Sequence, residues 1–96
     1  MVDPSALQRP RELIASAIDS YRDGDLRSLA ALISLLDSQR QHLEGEGEGW
    51  LADYEHHARV LDEMYALTQQ SRWSRFGRRK RRIVADELRE LRSMLE

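Results

Sequence analysis

The sequence predicts an all-α fold, an antiparallel bundle of three to four helices. Helix formers (Leu, Ala, Arg, Glu, Gln) dominate its composition, and β-branched residues are scarce. Apolar residues recur in steps of three and four, punctuated by Gly and Pro. The longest uninterrupted stretch, Trp50–Ser71, aligns Leu51, Tyr54, Ala58, Leu61, Tyr65 and Thr68 on one seam of a helix about six turns long. It is the expected central helix.

Taken in order, the elements are expected at about residues 10–22, 25–43, 50–73 and 80–95. Asp3-Pro4 can start a short N-terminal turn, with Asp3 capping. Pro10 predicts a second start, because it has no N–H and its ring would clash with the Ala6 carbonyl in a continuous helix. Leu13, Ile14, Ala17, Ile18 and Tyr21 follow at helical spacing. Asp23-Gly24-Asp25 then ends one helix and caps the next. So short a connection makes the first two helices antiparallel neighbours. The second helix carries Leu26, Leu29, Ile33, Leu36 and Leu43, with Arg40 on the same face and Leu32 and Leu35 widening the stripe. A stripe that wide suits a helix touched on two sides.

Gly45–Gly49 (GEGEG) reads as a flexible acidic loop at 45–49. As a phosphate cradle it would need the Lys and Ser/Thr of a nucleotide-binding loop, and it has neither. Beyond the central helix, Gly77 is a stop. Val84, Leu88, Leu91 and Leu95, widened by Ile83 and Met94, mark the last helix, whose start is open within 75–82. Residues 1–96 form one domain, since a chain this long holds a single modest core.

With 41% hydrophobic and 33% charged residues, the composition is that of a globular chain. It contains no cysteine, which excludes disulfides, thiolate nucleophiles and Cys-based zinc sites and favours a cytoplasmic home. The longest apolar run, Leu29–Leu36, is broken by Ser34 and falls far short of the ~20 residues of a membrane span. MVDPSALQRPREL offers no apolar signal core.

The net charge of −2 conceals an asymmetry. Residues 72–82 carry +7 without an acid, so the remainder carries −9, the difference between −2 and +7. Trp73 and Phe76 stand among Arg75, Arg78, Arg79, Arg81 and Arg82. Arginines interleaved with aromatics can bind phosphates and stack on bases, or enter an anionic headgroup layer. About five phosphate contacts would give a log–log salt slope of roughly −4 to −5 on duplex DNA. The bland alternative is pairing with the molecule's own acids.

Residues 44–63 are the counterpart: Glu44, Glu46, Glu48, Asp53, Glu55, Asp62 and Glu63 against the single cation Arg59. Such a surface can mimic phosphate towards a basic active site and speed encounter by steering. Its bland alternative is a solvated helix face, helped by Glu55–Arg59 at i,i+4.

Chemistry has little support. Asp53 and His57 share a helical face at a spacing usable by two metal ligands, with His42 the only histidine outside the His56-His57 pair. No HExxH motif and no second carboxylate–x–x–His repeat completes such a site, so no metal and no cofactor are expected. No GxSxG elbow or triad order is present either. The expectation is a non-enzymatic protein.

Tyr21-Arg22-Asp23-Gly24-Asp25-Leu26, then Leu36, then Trp50 and Leu61-Asp62-Glu63-Met64-Tyr65-Ala66-Leu67, form a layout that resembles short all-helical bacterial proteins. Some of these are encoded as immunity proteins beside polymorphic or contact-dependent toxins. The resemblance runs over residues 11–95 and rests on helical patterning and a few aromatics. It implies an interaction protein that binds and blocks a partner toxin, here through the acidic surface. No catalytic or ligand motif is shared, so no functional residue comes with it. The competing expectation is a small nucleic-acid-binding bundle using the basic run. Self-association as a homodimer is compatible with either.

Overall fold

A computed structural model describes residues 4–70 and 75–96, with side chains from residue 9 onward. The described residues form α1 (Pro4–Asp19), α2 (Leu26–Gln39), a 3-10 segment (Arg40–Glu46), α3 (Glu48–Gln69) and α4 (Arg78–Met94), with no strand. The all-α bundle is therefore the observed class.

Pro10 does not start a helix. It lies inside α1, and its ring is buried. Apolar burial offsets the one hydrogen bond that proline cannot make. At its other end α1 stops at Asp19, earlier than the expected Arg22, as the Tyr21 N–H turns back to the Ile18 carbonyl. Asp25 then caps α2 as expected, its carboxylate accepting from the Arg27 N–H at 3.0 Å.

Two boundaries differ more. The second helix ends at Gln39, and Leu43 reaches the core from the 3-10 segment, whose longer rise carries the chain across the bundle floor. Residues 45–49, expected as a loop, divide between the end of that segment and the start of α3. Only Gly47 is non-helical there, at φ 102°. One residue in the left-handed region is enough to turn the chain, and glycine takes that conformation without strain. At the far end α3 closes at Gln69. Its expected extension to residue 73 runs into positions outside the described residues. Gly77 precedes α4 as its N-cap rather than stopping α3.

Ile14, Leu29, Leu32, Leu36, Leu43, Tyr54, Leu61, Val84, Leu88, Leu91 and Leu95 make one core. Three contacts show that neighbouring helices run antiparallel. The Tyr54 hydroxyl donates to the Leu36 carbonyl at 2.6 Å, Trp50 Nε1 donates to the Met94 carbonyl at 3.4 Å, and His57 meets Glu87. The start of α3 thus lies against the ends of α2 and α4. The floor of the bundle is braced through Arg11. Its Nη2 donates to the Met94 carbonyl at 3.0 Å, and its guanidinium lies 5.5 Å from the Trp50 ring centroid. Its Nε sits 3.4 Å from Glu46 Oε1, an ion pair without hydrogen-bond geometry. One side chain from α1 thereby touches the 3-10 segment, α3 and α4.

Candidate interaction surfaces

The seven acids of 44–63 do not form one face. At about 100° per residue, Glu48, Glu55 and Asp62 stack within about 40° of one another along α3. Asp53 lies about 160° around the helix from Glu55, and Glu63 about 100° from Asp62. Glu44 and Glu55 both pair with Arg40, and Glu46 with Arg11. What remains of the expected acidic surface is a ridge on which Glu48 and Asp62 have no ion pair among the described residues, with Glu55 between them held by Arg40. Asp53 and Glu63 are exposed on other sides of the helix.

Glu55 and Asp62 of that ridge line a cleft of about 580 Å³ between α2 and α3. Ile33, Leu36, Tyr54 and Ala58 supply apolar lining, Asp37, Glu55 and Asp62 the carboxylates, and Arg40 and Arg59 two cations. Asp37 was invisible as a site residue in the sequence. It belongs to α2, and only the packing of α2 on α3 carries it to the ridge. The cleft accounts for the environment of Tyr54, whose hydroxyl is buried against the Leu36 carbonyl. Burial pushes that phenol well above its usual range, and the nearby Asp37 charge adds to the effect.

The basic run sits at the opposite end, in the first turns of α4. Arg81 is spoken for: Nη2 and Nε hold the Asp23 carboxylate at 2.7 and 3.2 Å. That hydrogen-bonded pair lowers the Asp23 carboxyl below the usual carboxylate range and raises Arg81. Gly24 makes room for the pair. A Cβ there would meet Arg81 Nε at 3.1 Å, and its φ of 83° already favours glycine. Arg75, Arg78, Arg79 and Arg82 are exposed and have no ion pair among the described residues. Lys80 Nζ donates to the Arg75 carbonyl at 3.0 Å. A cleft of about 380 Å³ is lined by Arg78, Arg81, Arg82, Ala85 and Asp23.

Only one of the two aromatics expected among the arginines lies in the described residues. Phe76 packs against the core, because the chain entering α4 must cover its end, and Trp73 lies outside the described residues. Leu13 and Leu67 are 48% and 43% exposed on different helices, and singly exposed leucines are ordinary.

The Asp53–His57 spacing, which carries no expectation of a metal, is not what the fold brings together. His57 turns to Glu87 and Glu90 of α4, and His42 is exposed on the 3-10 segment. Among the described residues no helix is long and apolar enough to cross a membrane. No protein-family model, curated protein or solved structure matches the chain.

Proposed function

We propose that this chain is a non-enzymatic interaction module, a cytoplasmic bacterial inhibitor of the immunity or antitoxin type that binds and blocks a partner toxin. The observation that carries the proposal is the coincidence of the α2–α3 cleft with the acidic ridge. An apolar floor flanked by Asp37 and Asp62, with Glu55 already held by Arg40, suits the aliphatic stem and charged head of a partner's Arg or Lys. Carboxylates at the rim act chiefly on the rate of encounter. The experiment is binding kinetics with the product of a neighbouring gene at low and high salt. A one-to-one complex is expected, its association slowed by salt and by Asp37→Asn with Asp62→Asn. No complex, or an association rate indifferent to both, overturns the proposal.

A second reading, nucleic-acid binding, is favoured by one observation: four of the five arginines named for it carry no internal partner among the described residues. With Arg81 committed to Asp23, four phosphate contacts give a salt slope of about −3.6 on duplex DNA. Neutralising Arg78, Arg79 and Arg82 without loss of affinity removes this reading.

A further inference from the structure

The seam between α3 and α4 holds a donor set that neither surface uses. Glu87 and Glu90, three apart on α4, present their carboxylates to His57 on α3, and the three donor atoms lie within 4.8 Å of one another. His57 Nδ1 contacts Glu87 Oε2 directly and is 3.7 Å from Glu90 Oε2. We propose that His57, Glu87 and Glu90 bind a divalent transition-metal ion of the zinc class.

Three features point beyond a plain hydrogen bond. First, the His57 and Glu87 side chains are only 12% and 18% exposed, and a carboxylate that far from water is costly unless neutralised. Second, no guanidinium or ammonium neutralises either glutamate among the described residues, although the chain carries fifteen Lys and Arg. The nearby α4 arginines are engaged elsewhere, Arg89 with Asp86 and Arg92 with Asp19 and Glu96. Third, the set is mixed: one imidazole nitrogen and two carboxylates. Imidazole selects zinc, cobalt or nickel over magnesium and calcium, which take oxygen ligands.

The geometry needs little adjustment. Ligand bonds of about 2.0–2.2 Å in a tetrahedral site put donor atoms about 3.3–3.6 Å apart. The His57–Glu90 separation of 3.7 Å is already close to that. Glu87 must give up its direct contact with the imidazole, the ion taking a place between the two side chains. Glu90, 65% exposed, is free to swing in. Three protein donors leave a position for water, so the ion would clamp α3 to α4 while remaining accessible from solvent. The site lies about 160° around α3 from Glu55, so it stands or falls independently of the inhibitor proposal.

The test titrates the full chain with zinc chloride by calorimetry and with cobalt(II) by visible absorption. One ion per chain is expected, with a rise in Tm on the order of 10 °C at a hundredfold excess over Kd. Cobalt should give the intense visible bands of a low-coordinate site. Glu90→Gln, at an exposed position outside the core, should weaken binding by at least about tenfold while leaving the metal-free Tm in place. His57→Ala should abolish binding, and His42→Ala and His56→Ala should leave it unchanged. Absence of saturable binding overturns the proposal. So does undiminished affinity in Glu90→Gln, or loss in the His42 or His56 variants, which would place the ion on the exposed histidines.

Discussion

The two ends of this bundle spend their charge differently. At the floor, Arg11 is drawn inward to Glu46, the Met94 carbonyl and the Trp50 ring, while Arg40 pairs with Glu44 and Glu55. At the other end the first turn of α4 holds Arg78, Arg79, Lys80 and Arg81, and among the described residues only Arg81 reaches a carboxylate, that of Asp23. Cations in a first turn oppose the helix dipole, so this end carries a cost that the floor does not. The partly buried Arg11–Glu46 pair contributes to stability, the exposed Arg40 pairs contribute little, and charge left in water contributes to recognition. Glu44 and Glu46, paired at the floor, are accordingly poorer candidates for partner binding than Asp37 and Asp62.

The largest effect expected from this contrast is at the floor. Leu43→Ala removes a fully buried side chain where the 3-10 segment meets the core, and should cost about 3 kcal/mol in denaturant unfolding. A cost below about 1 kcal/mol would mean that the floor is looser than described. Arg11→Met keeps much of the stem but removes the hydrogen bond, the ion pair and the ring contact, and should cost about 2 kcal/mol. Measuring it beside Arg79→Met, expected to be nearly neutral, is the most direct way to break the comparison.

Tyr54→Phe should cost about 1 kcal/mol through its lost bond to the Leu36 carbonyl. It also sharpens the pH behaviour. The folded state raises this phenol above its ordinary 10.0, so above that pH the unfolded chain loses a proton that the folded chain keeps. Its stabilising contribution is complete below about pH 10 and is lost as pH climbs towards the folded value. Burial acts in the same direction on Tyr21. The variant should therefore show a shallower alkaline decline in stability, to which Tyr21 still contributes.

Asp23 behaves oppositely. Arg81 depresses its carboxyl below 3.8, so the pair's contribution is present above that pH and disappears as pH falls through the lower, folded value. In Arg81→Ala the Asp23 carboxyl should titrate closer to 3.8 by NMR. The smallest effect is Arg79→Glu, which places an acid in the first turn of α4. It should stabilise the fold by a few tenths of a kcal/mol at low salt while weakening any binding of polyanions.

Much of the fold was legible because helical periodicity is a local property. The steps of three and four through Leu51, Tyr54, Ala58 and Leu61 define a helix whatever it packs against, and Asp25 caps α2 using only its own neighbourhood. Pro10 and the GEGEG stretch differ from the expectation for separate reasons. At Pro10 burial of the ring offsets the missing N–H, and in GEGEG a single left-handed residue, Gly47, suffices to turn the chain, so its neighbours join the flanking helical segments.

By itself, then, the sequence determined an all-helical chain with two oppositely charged segments and a short turn at Asp23–Asp25. Only the tertiary structure decided which charges remain available. It brought Asp37 to the ridge of Glu55 and Asp62, moved Arg81 onto Asp23, turned Phe76 to the core, and set His57 against Glu87 and Glu90 instead of Asp53. The reason is physical. Periodicity states which face of a helix seeks burial, but the partner across each seam depends on how far one helix slides along the next, and that is settled by packing between residues distant in the chain.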